Sequence, residues 1–169
     1  MATARDIRRL AFQILYQLDA RGGQAGAGAS PEDAQLVLAG LIDDPEEAVK
    51  FTPGEIKKAF TFANSAFGGR SAADAFTEEA APGWPAHRQA AVDRAILRLA
   101  HFEMTRTGVD GGEPTHPKIV VNEAVELAKM FSTEKSPSFI NGLLDKLLKQ
   151  VLLARGESLE PAEEVPPAP

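Results

Sequence analysis

Three arginines and two aromatic residues lie on one face of the first predicted helix. Arg5, Arg8, Arg9, Phe12 and Tyr16 follow the spacing i, i+3, i+4, i+7 and i+11, which places them in a single stripe. Cations in the first turns of a helix face the positive end of its dipole, which costs about 0.3–1 kcal/mol each. A phosphate backbone would offset that cost, so the stripe indicates nucleic-acid binding. The alternative interpretation is a solvated cationic turn that runs into core aromatics.

A second candidate surface lies at the start of the last predicted helix, where Lys135 and Phe139 flank a turn. Phe139 lies beside the apolar stripe of this helix rather than at its centre. One interpretation is a packing contact with the preceding helix. The other is an aromatic platform for an unstacked base, with Lys135 and the helix N-terminus facing phosphate.

Neither surface carries a catalytic or metal-binding pattern. The polar residues between positions 121 and 146 fit capping and hydrogen bonding between helices better than acid–base catalysis. The histidines lie in separate segments without ligand neighbours at metal-binding spacing, and no phosphate-binding glycine loop or nucleophile elbow is present. The sequence therefore predicts no catalytic residue, metal or cofactor. The residues considered are Asn122, Glu123, Glu126, Asn141, Asp145, His87, His101 and His116.

The distribution of charge matters more than the net charge of −6. Four glutamates after Arg155 supply much of the acidity, whereas the first 21 residues carry four arginines against two aspartates. Residues 156–169, rich in proline, glutamate and alanine, are predicted to be a disordered tail. The chain has no cysteine, no apolar run of membrane-spanning length and no signal-peptide pattern, which predicts a cytoplasmic protein without membrane contact.

Helical periodicity runs through almost the whole chain and predicts an all-α fold of about seven helices. Residues 1–155 are expected to form one domain of two three-helix subdomains, about 1–69 and 70–155. Capping residues and apolar spacing predict helices that begin near the N-terminus, at Ser30 (to about Ile42), at Thr52 (to Gly68–Gly69), at Ser71 (to about Ala80), at Ala86 (to Thr107), at Lys118 (to Phe131) and at Ser136.

Three blocks of this sequence together resemble the NusB family. The first is Arg5–Tyr16, which contains RRLAFQILY. The second, Val92–Met104, reads VDRAILRLAHFEM, and the third, Val121–Lys146, reads VNEAVELAKMFSTEKSPSFINGLLDK.

The resemblance implies two perpendicular three-helix subdomains and a role without catalysis. It also implies pairing with NusE, a ribosomal small-subunit protein, and binding of the boxA element in ribosomal RNA transcripts. The complex would join RNA polymerase and other Nus factors in suppressing termination.

The resemblance also assigns residues to this expected RNA surface. Arg5 and Arg8 match basic residues of the arginine-rich start, and Arg9 belongs to the same cluster. Phe139 matches an aromatic on the RNA face, with Lys135 and Ser138 at its rim.

Tyr16 and Asp93 match positions that contact NusE, and the family also makes a homodimer possible.

Three positions depart from the family pattern. Asp6 stands where relatives are usually basic, Arg9 where they are usually acidic, and Lys135 where they are often acidic. The rearranged cluster keeps a second hypothesis open, namely a helical scaffold that binds protein partners without specific RNA binding. A third class, an RNA-modifying enzyme, is disfavoured because the chain has no glycine-rich cofactor-binding unit and no cysteine.

Overall fold

Six α-helices and one short 3₁₀ turn make up the secondary structure of the described residues, which contain no strand. The computed structural model describes residues 2–20, 51–157, 166 and 168. The all-α prediction is confirmed. The predicted helix from Ser30 to Ile42 and most of the predicted tail lie outside these residues. The helices are α1 (Ala4–Ala20), α2 (Pro53–Gly68), α3 (Arg70–Ala80), α4 (Ala91–Thr105), α5 (Pro117–Phe131) and α6 (Ser136–Ala154).

The start of α2 at Thr52, which the sequence predicts, is fixed by a capping box in which Thr52 and Glu55 hydrogen-bond to each other. The Glu55 backbone N–H donates to Thr52 Oγ1 at 3.2 Å, and the Thr52 backbone N–H donates to Glu55 Oε1 at 3.0 Å. The second hydrogen bond is the main reason why the pKa of Glu55 is lowered. The other Glu55 carboxylate oxygen accepts from the Ala2 N–H at 2.9 Å, which ties the start of the chain to α2.

We expect Thr52→Ala to lower the free energy of unfolding by about 1 kcal/mol, because it removes one of the two capping hydrogen bonds. Thr61→Ala is the matched control, since Thr61 is an exposed residue in the middle of α2. Urea denaturation of both variants measures the difference. Equal stability of the two variants would contradict the capping role.

Two predicted helix starts need correction. Gly69 ends α2 and begins α3, so Ser71 lies inside α3 and does not cap it. A Cβ at Gly69 would lie 3.4 Å from the Phe102 ring, so α4 packs closely against this junction. The helix predicted from Ala86 is divided into a 3₁₀ turn (Ala86–Arg88) and α4, because the backbone is extended at Gln89. Arg94 donates to the carbonyls of Ala86 and Gln89 and so joins the two elements.

Helix α4 lies at the centre of the fold and packs against each of the other five helices. Helices α1 and α2 pack together on one side of it, and α5 and α6 on the other. Buried apolar side chains from five of these helices, all except α3, join in one hydrophobic cluster. The subdomain boundary near residue 69 stays a prediction. None of the helices in the described ranges is long and apolar enough to cross a membrane.

An ionic network fixes α4 to α1 and α3. Arg98 donates to both carboxylate oxygens of Asp74 on α3, at 2.9 and 2.8 Å, and to Asp19 on α1 at 3.1 Å. Arg94 also donates to Asp19. Burial works to lower the pKa of Arg98, but the two aspartates outweigh it and the pKa is raised. The network fixes the end of α1, and the three arginines of the stripe lie toward the other end of this helix.

Candidate nucleic-acid interface

The arginine stripe lies along a surface that we call the α1/α5 seam, defined by side-chain contacts between α1 and α5. Arg5 contacts Glu123 near its beginning, and the Phe12 and Phe131 rings pack at 5.1 Å near its end. Because the sequence numbers rise together on both helices, the helices run in the same direction along the seam. The two contacts lie about 12 Å apart, given the rise per residue of an α-helix.

Arg5 and Arg8 both pair with a carboxylate, and Arg5 is the more exposed of the two. Its side chain is 61% exposed, whereas that of Glu123 is 13% exposed. Arg5 Nε donates to Glu123 Oε2 at 3.1 Å and to Oε1 at 3.3 Å, and Nη2 donates to Oε1 at 3.0 Å. These hydrogen bonds and the charge of Glu123 raise the pKa of Arg5. Arg5 is therefore accessible to solvent but already paired with an anion.

Arg8, which the sequence assigns to the RNA surface, is buried in an ion pair. Arg8 Nε donates to Glu103 Oε1 at 2.8 Å, and Nη2 donates to Oε2 at 2.7 Å. Glu103 is 1% exposed and also accepts from the Thr115 hydroxyl at 2.6 Å. Arg8 Nη1 lies 3.9 Å from Glu123. The structure thus gives Arg8 a role in joining α1 to α4 and the following loop, and it offers little surface to a phosphate.

Arg9 is half-buried beside a small cavity along the seam. The cavity has a volume of about 60 Å³, which accommodates small solvent-sized groups but not a nucleobase. Its wall combines cationic, acidic and apolar side chains, and Met130 at its edge is 57% exposed. The lining residues are Arg5, Asp6, Arg8, Arg9, Glu123, Glu126, Leu127 and Met130.

The remaining predicted RNA-binding residues lie at the start of α6 and differ in their exposure to solvent. Lys135 and Ser138 are exposed, whereas Phe139 is 1% exposed and belongs to the hydrophobic core. The structure therefore favours the packing interpretation of Phe139, because no face of the ring is open to a base. Its spacing of four residues from the buried Leu143 explains why it points inwards.

Asp93, assigned by resemblance to the NusE surface, is also buried, with 1% exposure. Its Oδ1 accepts from the Ser132 hydroxyl at 2.6 Å, and its Oδ2 accepts from the Ser136 hydroxyl at 3.0 Å. Ser132 ends α5 and Ser136 begins α6. Asp93 therefore holds the turn that presents Lys135. Tyr16, the other assigned partner contact, is half-buried against the core.

Sequence reasoning missed how the arginines pair with anions: Glu103 was not singled out, and Glu123 was assigned to capping or hydrogen bonding between helices without a named partner. Both stand inside blocks that carry the family resemblance, but their pairing joins residues 95 and 118 positions apart. Spacing along one helix does not reveal such pairs. Among the described residues no group of three His, Cys, Asp or Glu side chains is arranged to hold a metal ion.

A larger cavity of about 220 Å³ lies between α2 and the loop after α4. Phe62, Phe102 and Val109 contribute apolar surface, and Lys57 and Lys58 are exposed residues beside it. Lys58 pairs with Asp110 at 3.2 Å. None of the predicted site residues lines this cavity, so it is separate from the interface described above.

The NusB family model matches residues 5–149. The chain is 36% identical over 148 residues to the transcription antitermination protein NusB of Roseiflexus sp. (strain RS-1), covering 86% of this chain and 92% of that protein. It is 37% identical over 156 residues to the protein of the same name from Rubrobacter xylanophilus, covering 87% and 94%.

Two solved structures share the fold. T. maritima NusB has a TM-score of 0.65 at 24% identity, covering 89% of this chain and 93% of that chain. The solution structure of NusB from Aquifex aeolicus has a TM-score of 0.61 at 23% identity, covering 96% and 97%. The family match extends from the first turn of α1 through most of α6. The chain belongs to the NusB family.

Proposed function

We propose that this chain is a transcription antitermination factor that binds RNA and has no catalytic activity. The observation that supports this proposal most is the family match over residues 5–149, which includes both candidate surfaces. In the proposed mechanism, the chain pairs with NusE, and the heterodimer binds boxA RNA in ribosomal RNA transcripts. It then joins RNA polymerase and other Nus factors in the cytoplasm and suppresses termination.

The geometry supports a revised set of RNA contacts. Exposed Arg5, half-buried Arg9 and the exposed Lys135 and Ser138 would contact phosphate and sugar. Arg8 and Phe139 would support this surface without contacting RNA, Arg8 by fixing α1 and Phe139 by fixing α6. Of the two expected NusE contacts, half-buried Tyr16 keeps accessible surface, whereas Asp93 would act by holding the α5–α6 turn. Homodimer formation stays a prediction, which light scattering can test.

The proposed function is tested by fluorescence anisotropy with boxA-like and scrambled RNA, using this chain alone and with its cognate NusE. We expect tight, salt-sensitive and sequence-selective binding only for the pair, because the chain's own exposed positive surface is small. The pairing of Arg5 with Glu123 favours a second candidate, a scaffold that binds NusE without RNA selectivity. Normal NusE binding with equal affinity for both RNAs would support the scaffold and contradict the RNA-reading function.

Arg5→Ala should weaken binding of the NusE complex to boxA-like and scrambled RNA alike, by about three- to tenfold at low salt. The slope of log affinity against log salt should become shallower by about 0.7, the value for one phosphate on a single strand. Arg155→Ala is the control, because it removes the same charge from an exposed site at the end of α6. If both variants bind RNA equally, Arg5 is not an RNA contact.

A further inference from the structure

We propose that Glu123 competes with RNA phosphate for the Nε/Nη2 edge of Arg5, so that a phosphate can take this edge only after Arg5 leaves the carboxylate. The inference deepens the proposed function and rests on its RNA-binding part. Glu123 is thus inferred to set the affinity and salt dependence of the seam without itself contacting RNA. Its expected competitor is the phosphate backbone of a single-stranded RNA.

The contact between Arg5 and Glu123 has the form that a phosphate contact would take. Two guanidinium nitrogens of Arg5 donate to the two oxygens of one carboxylate, at 3.0 to 3.3 Å. Arginine binds phosphate oxygens through the same planar arrangement of donors. One guanidinium edge therefore cannot hold Glu123 and a phosphate in this geometry at the same time.

The two partners differ in their freedom to move. Glu123 is 13% exposed and lies between Arg5 and Arg8, and Arg8 is fixed on buried Glu103. Arg5 is 61% exposed and its long side chain reaches solvent. Exposed ion pairs contribute little to stability. Arg5 is therefore the partner that moves when an RNA phosphate approaches.

Opening the pair does not leave Glu123 without a cation. Arg8 Nη1 already lies 3.9 Å from Glu123 Oε2, so the carboxylate keeps a positive neighbour after Arg5 departs. Closing the pair, in contrast, cancels most of the field of Arg5 beyond a few ångströms, since opposite charges are adjacent. Glu126, which also lines the cavity, adds a further negative charge beside Arg5. The free protein therefore attracts RNA weakly at this surface.

Four full-length chains test the proposal: wild type, Glu123→Gln, Glu123→Asp and the control Glu126→Gln. Their binding to a fluorescent single-stranded RNA of random sequence is measured without NusE, at low and at near-physiological salt. We expect Glu123→Gln to bind about two- to fivefold more tightly at low salt, the range that the strength of exposed ion pairs implies. The gain should shrink at higher salt because of screening.

Glu123→Asp separates a contact from a general effect of charge. It keeps the negative charge but shortens the side chain, so the forked hydrogen bonds to Arg5 are weakened, and we expect tighter RNA binding than wild type. Glu126→Gln removes an equal charge from the same cavity but not the partner of Arg5, because Glu126 pairs with Lys129 at 3.3 Å. Its gain should be clearly smaller than that of Glu123→Gln.

The proposal is overturned if Glu123→Gln binds RNA no better than wild type, or if none of the four chains binds RNA. It is also overturned if Glu126→Gln matches Glu123→Gln while Glu123→Asp matches wild type, because the gain would then come from net charge alone. Failure of the proposed antitermination function would give a different experimental result, namely loss of boxA selectivity in the NusE complex. Random RNA and the isolated chain do not depend on that selectivity.

A second measurement uses wild-type protein and does not depend on the variants folding. In the NMR spectrum of the guanidinium Nε–H groups, we expect RNA to shift the signal of Arg5 strongly. The signal of Arg8 should move little, because its Nε donates to buried Glu103 at 2.8 Å. An unchanged Arg5 signal with RNA bound would contradict the exchange of partners.

Discussion

Replacing Arg8 with alanine is expected to lower the free energy of unfolding by about 3–5 kcal/mol, the usual cost of leaving a buried charge without its partner. Arg8 is 7% exposed and holds Glu103, which is 1% exposed, through two hydrogen bonds shorter than 3 Å. After the substitution Glu103 would keep, among the described residues, only the Thr115 hydroxyl as a side-chain donor, at 2.6 Å. The loss concerns the junction of α1, α4 and the following loop.

Urea denaturation of Arg8→Ala, with Arg5→Ala as the matched control, tests this expectation. Arg5→Ala should unfold near the wild-type midpoint, because its guanidinium is exposed. The double substitution of Arg8→Met with Glu103→Leu should recover much of the lost stability, since it removes both buried charges. A midpoint for Arg8→Ala equal to that of Arg5→Ala would show that the pair does not support the fold.

The difference in burial between Arg5 and Arg8 affects how RNA-binding data on this stripe are interpreted. The sequence places Arg5 and Arg8 on one helical face, and a stripe of that kind predicts equal roles for both. The structure makes them unequal, because Arg8 ends at a buried carboxylate and Arg5 reaches solvent. Weak RNA binding by a variant at Arg8 would therefore reflect loss of folded protein unless the stability of that variant is also measured.

The elements that the sequence predicted well are those fixed by local interactions. The capping box of Thr52 and Glu55 spans three residues, so its two hydrogen bonds can be anticipated from the sequence. The start of α6 at Ser136 and the end of α5 at Phe131 follow from apolar spacing and turn residues in the same way. The predicted start of α3 at Ser71 is wrong because the helix begins directly after Gly69, without a side-chain cap that the sequence would reveal.

The residues of the candidate site were harder to predict, since their roles depend on how distant helices pack. Phe139 and Asp93 have the residue types of an RNA platform and a partner contact. Packing of α6 buries the ring, and the approach of α4 to the α5–α6 turn buries the carboxylate. Glu123 was assigned to capping or hydrogen bonding between helices, and it does join two helices, but its partner, the exposed Arg5, lies too far away in the sequence to be predicted.

Asp93→Ala is expected to lower the free energy of unfolding by about 3 kcal/mol and to weaken RNA binding without removing an RNA contact. Asp93 accepts hydrogen bonds from Ser132 and Ser136, and bonds to a charged group contribute about 1.5–3 kcal/mol each. It also lies in the first turn of α4, where a negative charge is favoured by the helix dipole. Its loss would loosen the turn that presents Lys135.

Lys135→Ala provides the contrast, because Lys135 is exposed on the same turn and its removal should reduce RNA affinity at unchanged stability. Asp93→Asn keeps one acceptor oxygen and should lose less stability than Asp93→Ala. Denaturation midpoints, RNA affinity and NusE affinity are measured for all three variants. If Asp93→Ala has wild-type stability but no longer binds NusE, the carboxylate is a partner contact, as the family resemblance implies. If it loses stability and RNA affinity together while Asp93→Asn loses less of both, its role is to hold the turn in place.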